Sequence, residues 1–122
     1  MGREEVAHHK EELRVWGESM KLAVDVYRAT LAMPSDQRYG LTSQLRRAAA
    51  AVPANIAEGA GRGSSIDFSR FIAIARGCLS DFETHLLLAE ELQLVRDCGH
   101  LHARIILLRT MLTRLYASLR RR

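Results

Sequence analysis

The glycine-rich segment 59–65, with the sequence GAGRGSS, is the first place where residue type and spacing could do chemistry. A phosphate-binding P-loop ends in Gly-Lys-Ser or Gly-Lys-Thr, whereas Arg62, Gly63 and Ser64 stand at that point here. A dinucleotide-binding fingerprint follows a strand, and the spacing before this segment predicts a helix. We therefore interpret the segment as a turn between two helices, with Ser64 or Ser65 capping the second. The alternative is that Arg62 and the free amides of that helix hold one phosphate.

The histidines and cysteines are not spaced as metal ligands. His100 and His102 lie two residues apart, so on a helix they point to different faces. His85 lies within an apolar seam, which is typical of a hydrogen-bonded core or interface histidine. Cys78 and Cys98 form no CxxC motif, and we expect them to be free, half-buried thiols of a cytoplasmic protein. We predict neither a metal nor a cofactor.

Three carboxylates, Glu58, Asp81 and Glu83, could serve as general acids or bases. Folding the chain back at the glycine-rich segment offers a better account of them. Arg47 would then lie level with Asp81 and Glu83, and Glu58 with Arg70. We therefore predict ion pairs between helices, which set the register of packing, rather than catalysis.

The net charge of +4 is distributed unevenly along the chain. Residues 1–20 hold five Glu against three basic residues, a balance of −2, whereas residues 96–122 hold seven Arg against one Asp, a balance of +6. This asymmetry predicts a polyanionic partner such as RNA, although the predominance of Arg over Lys also fits a bias in genomic base composition. Aromatic residues do not interleave with the arginines as in base-reading proteins. The candidate nucleic-acid contacts are Arg46, Arg62, Arg104, Arg109, Arg114, Arg120, Arg121 and Arg122, the last three being a basic tail that could also be frayed.

Apolar residues recur at spacings of three and four along four stretches, which predicts an all-α chain. The predicted helices cover about residues 12–33, 36–60, 65–92 and 98–120 of a single domain, 1–122, with Asp97 as the cap of the last. Short loops between long helices favour an antiparallel up-down-up-down bundle. Hydrophobic residues make up 48% of the chain and charged residues 26%, which fits a soluble folded protein. No apolar run approaches the roughly 20 residues that cross a bilayer, so no membrane partner is expected.

The first and last predicted helices carry the apolar residues that bear on assembly. On the first helix, a stripe at three-and-four spacing consists of Leu13, Trp16, Met20, Ala23, Tyr27 and Leu31. On the last helix, a heptad seam consists of Leu101, Ile105, Leu108, Leu112, Leu115 and Leu119, with Ile106, Leu107 and Met111 outside it. A bundle needs one buried stripe per helix, so the extra surface predicts contact with another subunit. If the last helix or the stripe of the first is buried between subunits, we expect Leu108→Glu to yield monomer or aggregate.

Two motifs carry a resemblance to a known family. They are YGLTSQLRRA at residues 39–48 and NIAEG at residues 55–59, and the run ARGCLSDFE follows at residues 75–83. Over about residues 13–119 the chain resembles the small bacterial four-helix bundle proteins linked to intervening sequences in 23S ribosomal RNA.

The resemblance implies an antiparallel four-helix bundle that assembles into a homopentameric ring and has no enzymatic activity. Such proteins are similar to the accessory protein of diversity-generating retroelements, a basic pentameric barrel that binds nucleic acid and a reverse transcriptase. We therefore predict a non-enzymatic RNA-binding oligomer. The alternative is a protein-interaction adaptor or scaffold, such as an accessory factor for a reverse transcriptase. The residues interpreted as structural polar contacts are Gln44, Arg47, Asn55, Glu58, Arg70, Arg76, Asp81 and Glu83.

Overall fold

The computed structural model describes residues 2–122, which form four α-helices and one short 3₁₀ turn, with no strand among them. The helices are α1 (Arg3–Ala29), α2 (Leu41–Ala60), α3 (Ser65–Glu91) and α4 (Gly99–Arg121), and the 3₁₀ turn is Ser35–Gln37. The predicted all-helical chain of four helices is confirmed. None of the described helices combines the length and apolar character that a bilayer-spanning segment needs.

The boundaries of α1 and α2 differ from the predicted ones. The helix α1 begins at Arg3 rather than near residue 12, because its first turns are polar and exposed and leave no apolar period to detect. The acidic residues Glu4 and Glu5 lie in its first turn, where the helix dipole favours negative charge. The helix α2 begins at Leu41, because the residues after Pro34 form the 3₁₀ turn instead.

The core seams of α2 and α4 lie where the spacing predicts them. On α2 the buried residues include Leu41, Leu45, Ala48, Val52, Ile56 and Gly59. On α4 the whole heptad seam from Leu101 to Leu119 is buried, and Leu108 is 0% exposed. Glutamate at Leu108 therefore tests the core of the single chain rather than a contact between subunits, because this side chain is already fully buried without a partner. Met111 is also buried, whereas Ile106 and Leu107 are exposed.

The predicted apolar stripe of α1 mostly faces outward. The core face of α1 is formed by Val15, Leu22 and Val26, each at most 2% exposed. Along the predicted stripe only Ala23 is buried, while the large side chains are exposed, with Leu13 at 53% and Leu31 at 77%. This helix therefore has two apolar faces, and one protomer covers only one of them.

Of the two predicted N-terminal caps, the one of α3 is confirmed and the one of α4 is wrong. Ser64 Oγ accepts a hydrogen bond from the Asp67 backbone N–H at 3.2 Å, so Ser64 caps α3 as predicted. Cys98 rather than Asp97 stands at the cap position of α4. Asp97 has a φ of 58°, a left-handed conformation that its short polar side chain tolerates in a turn.

Gly59 allows α2 to approach α3 closely. A Cβ at this position would lie 2.7 Å from Phe71 Cβ and 2.8 Å from Phe68 Cδ1, which is too close for carbon atoms. The absence of a side chain at Gly59 is thus a packing requirement. The helix α2 itself continues through Pro53, as its apolar spacing predicts.

Replacing Gly59 with alanine is expected to destabilise the protein by about 1–3 kcal/mol, because the added methyl group must displace Phe68 and Phe71. The control is Gly77→Ala in α3, where nothing lies within 4 Å of an added Cβ. That change should stabilise the helix by about 0.5–1 kcal/mol. Urea unfolding of both variants measures the two effects, and equal effects would contradict a special packing role for Gly59.

Candidate nucleic-acid interface

The carboxylates considered for acid–base chemistry are engaged with basic side chains. Glu83 accepts a hydrogen bond from Arg109 at 2.7 Å, which links α3 to α4. Glu58 pairs with Arg62 at 2.8 Å. Arg47 is exposed and forms no ion pair within residues 2–122, so its predicted pairing with α3 is wrong.

The other predicted pairings are also replaced by local ones. Asp81 pairs with His85, one turn further along α3, at 3.1 Å. Arg70 pairs with Asp67 at 2.9 Å rather than with Glu58. On a helix surface, side chains three and four residues apart are already neighbours, so these pairs form without help from a second helix.

Besides Glu83, two of the predicted structural polar residues contact another helix. The Asn55 side-chain amide donates to Cys78 Sγ on α3 at 3.8 Å. The Arg76 guanidinium lies over the Tyr116 ring of α4, 4.6 Å from its centroid. Gln44 is exposed, and its side chain makes no hydrogen bond within the described part of the chain.

The two cysteines are free thiols, Cys98 buried and Cys78 partly buried. Burial, followed by the charge of Asp81, raises the pKa of the Cys78 thiol. Burial, followed by the charges of Glu90 and Asp97, raises the pKa of the Cys98 thiol. A thiol with a raised pKa stays protonated at neutral pH and is a weak nucleophile. Among residues 2–122, no three His, Cys, Asp or Glu side chains are placed to hold a metal ion.

Arg104 is used in packing α4 against α1. Its Nε donates to Asp25 at 2.9 Å, and its Nη1 donates to Glu18 at 3.1 Å. The two acidic partners are largely buried by this contact. Charge-assisted bonds of this kind fix the orientation of the helices, so the charge of Arg104 is neutralised within the protomer.

The basic run at residues 120–122 is not a frayed tail. The helix α4 extends to Arg121, and Arg122 pairs with Glu12 at 3.0 Å and with Glu11 at 3.7 Å. The Arg122 side chain is only 17% exposed. The acidic beginning and the basic end of the chain therefore face each other, and part of the sequence asymmetry in charge is cancelled by the fold.

Three of the predicted arginines on α4 keep their charge unpaired. Arg114, Arg120 and Arg121 are exposed and form no ion pair among the described residues. Arg121 lines a polar cavity of about 370 Å³ between α1 and α4. His8 of α1 and Ser118 of α4 line the same cavity. Arg114 lines a neighbouring cavity of about 180 Å³ with residues of the same two helices, including Arg14. We call His8, Arg14, Arg114, Ser118 and Arg121 the α1–α4 basic groove.

The side chain of Arg46, which belongs to α2, lies near the C-terminal end of α1, where it contacts an aromatic ring. Its Nε donates to Thr30 Oγ1 at 2.9 Å, and its guanidinium lies 4.9 Å from the centroid of the Tyr27 ring. Arg62 lies similarly over Phe71, at 4.9 Å. These stacked pairs were missed by the sequence interpretation, because their members lie 9 to 19 positions apart and show no interleaving pattern.

An open apolar cavity of about 380 Å³ lies between α1 and the junction of α2 with α3. Its apolar lining includes Leu13, Trp16, Ile56 and Phe68. It adjoins the outward apolar face of α1, which consists of Leu13, Trp16, Met20 and Val24. The surface of the protomer thus combines an apolar α1 face with a separate basic groove.

The fold and these surfaces define a helical bundle protein with basic and apolar outer faces. The chain belongs to the 23S rRNA-intervening sequence protein family, whose sequence model matches residues 11–114. No curated protein matches the chain. Among solved structures, it is similar to a protein of unknown function from the S23 ribosomal protein family of Bacteroides thetaiotaomicron VPI-5482. The two share 18% sequence identity and a TM-score of 0.80, over 88% of this chain and 98% of that one.

Proposed function

We propose that this protein is a non-enzymatic nucleic-acid-binding protein and that its ligand is RNA. The observation that carries the proposal is the α1–α4 basic groove. Arg114 and Arg121 are seven residues apart and Ser118 lies between them, so the three share one face of α4. From α1, His8 lines the cavity with Arg121, and Arg14 lines the cavity with Arg114. A row of basic and hydroxyl side chains suits the phosphates of a nucleic-acid backbone.

The charge of the groove is available to a ligand. Arg122 pairs with Glu11 and Glu12 and offsets one of their two charges, and neither carboxylate forms an ion pair with Arg114 or Arg121 among the described residues. Glu11 nevertheless lines the groove beside Arg114. Glu4 also lines the groove and opposes phosphate binding in part. Binding through phosphates releases counterions, so affinity should fall steeply with salt and depend little on sequence.

The protein acts as an antiparallel bundle in a homo-oligomer, for which the family resemblance suggests a pentamer. Two contacts support the antiparallel arrangement, since Glu12 near the beginning of α1 meets Arg122, and Asp25 near its end meets Arg104. An oligomer would repeat the basic groove and so raise affinity through multivalency. The free cysteines fit a cytoplasmic location.

Replacing Arg121 with glutamine is expected to reduce the dependence of RNA affinity on salt, because each subunit then loses one phosphate contact. The slope of log K against log salt should become shallower by at least about 0.7. Fluorescence anisotropy with a labelled structured RNA, measured across a salt series, gives this slope.

The matched control is Arg62→Gln, which removes the same charge from an arginine that is already paired with Glu58. Its slope should equal that of the wild type. Equal changes in both variants would mean that affinity follows net charge rather than the groove. An absence of RNA binding by the wild type near physiological salt would contradict the proposed function itself.

A protein-interaction scaffold, such as an accessory factor for a reverse transcriptase, is the second candidate. The outward apolar face of α1 and Ile106 of α4, which is 65% exposed, favour it. Exposed apolar surface of this extent usually marks a contact with protein. RNA affinity no greater than that of an unrelated basic protein, together with copurification of a polymerase that Ile106→Glu abolishes, would favour this function.

A further inference from the structure

Two tyrosines near the connection between α1 and α2 each have an arginine over the ring. The Arg38 guanidinium lies 5.4 Å from the centroid of Tyr39, and the Arg46 guanidinium lies 4.9 Å from that of Tyr27. Tyr39 is 88% exposed and Tyr27 is 48% exposed. We call these four residues the α1–α2 corner. An aromatic ring has two faces, so with an arginine on one face the other remains open to a flat ligand.

The Arg46 side chain is held in place before any ligand arrives. Its Nε donates to Thr30 Oγ1 at 2.9 Å, and Thr30 in turn donates to the Val26 carbonyl at 2.8 Å. Thr30 is buried, so this chain of hydrogen bonds rests on the core. Arg46 forms no ion pair within residues 2–122, which leaves its guanidinium charge uncompensated beside the Tyr27 ring.

The corner is basic as well as aromatic. Residues 27–47 contain four arginines and a single carboxylate, Asp36. Arg28 follows Tyr27 and Arg47 follows Arg46 in the sequence; both are exposed, and none of the four arginines forms an ion pair in the described part of the chain. This differs from α4, where Arg104, Arg109 and Arg122 are neutralised by carboxylates.

Exposed aromatic faces next to unpaired arginines form the kind of surface that binds single-stranded nucleic acid. Unstacked bases stack on aromatic side chains, and the neighbouring arginines contact the phosphates. A duplex keeps its bases stacked internally and cannot use the rings. We infer that the α1–α2 corner binds single-stranded RNA, with bases stacked on Tyr39 and Tyr27 and phosphates on Arg38 and Arg46. This inference rests on the proposed function and adds a second, strand-selective site to it.

The test compares a labelled single-stranded oligouridine with a labelled blunt-ended RNA duplex, using the full chain. Tyr39→Ala is expected to weaken binding of the single strand by roughly 10-fold, because one stacked base is lost. Binding of the duplex should stay unchanged. Tyr39→Phe is the matched control, since it keeps the aromatic face and should bind both RNAs like the wild type. Because Tyr39 is largely exposed, neither change is expected to disturb the fold.

A second readout locates the contact directly. An oligonucleotide that carries 4-thiouridine should cross-link to Tyr39 or Tyr27 on irradiation. Equal losses for single strand and duplex, or no loss with Tyr39→Ala, would overturn the inference while the proposed function stands. A change of oligomer size with Tyr39→Ala would assign the corner to a contact between copies and also overturn it. If the wild type binds neither RNA, the proposed function itself is contradicted, and the inference that rests on it falls with it.

Discussion

Replacing Leu108 with glutamate is expected to unfold the protein, whereas the same change at Ile106, two residues earlier on α4, leaves it folded. Leu108 is 0% exposed and packs in the core, while Ile106 is 65% exposed. Removing a buried leucine costs about 2–5 kcal/mol, and burying a carboxylate without a partner adds several kcal/mol more. The sum is comparable with the roughly 5–15 kcal/mol by which domains of this size are stable.

Circular dichroism and thermal unfolding of the two purified variants distinguish the outcomes. Leu108→Glu should lose its cooperative transition or accumulate as insoluble protein, and Ile106→Glu should melt like the wild type. A folded, cooperative Leu108→Glu protein would contradict the assignment of this residue to the core of the protomer.

Replacing Leu13 with glutamate is expected to dissociate the oligomer and to leave a folded protomer. Leu13 belongs to the outward apolar face of α1 and is 53% exposed in the protomer. If that face is covered by a second copy, the change forfeits at each contact roughly half of the about 1.5–3 kcal/mol that full burial of a leucine contributes, and it places a charge there, which costs several kcal/mol more. Association should weaken at least about 100-fold.

Leu87 of α3 provides the matched control, because it is also 53% exposed but lies on another helix. Leu87→Glu should keep the size of the wild-type assembly. Sedimentation or light scattering after size exclusion measures the mass of each protein. A Leu13→Glu protein that keeps the mass of the wild-type assembly would place the interface away from α1, and a monomeric wild type would contradict assembly altogether.

The helices themselves could be predicted, because helical periodicity is a local property of the chain. Residues three and four apart share a helix face whatever lies beyond it, so the seams of α2 and α4 follow directly from spacing. The serine cap of α3 and the glycine-rich turn before it are equally local. The motifs YGLTSQLRRA and NIAEG also sufficed to identify the family, since they are strings of residues rather than arrangements in space.

The buried face of α1 could not be predicted in the same way. Val15, Leu22 and Val26 form one apolar face, and Leu13, Trp16 and Tyr27 belong to another with the larger side chains. Helical spacing is compatible with burial of either face, and the size of the side chains favours burial of the face that is in fact exposed. Only the position of the other three helices decides which face is covered, because burial depends on neighbours that are distant in sequence.

The sequence by itself determined that the chain is helical, where most of its helices lie, to which family it belongs and that it carries a net positive charge. The tertiary structure alone decided which of those charges a ligand can use. Arg104 reaches Asp25 across 79 positions and Arg122 reaches Glu12 across 110, whereas Arg114 and Arg121 form no ion pair among the described residues. Coulomb attraction falls with distance in space, and distance in space is set by packing rather than by order along the chain.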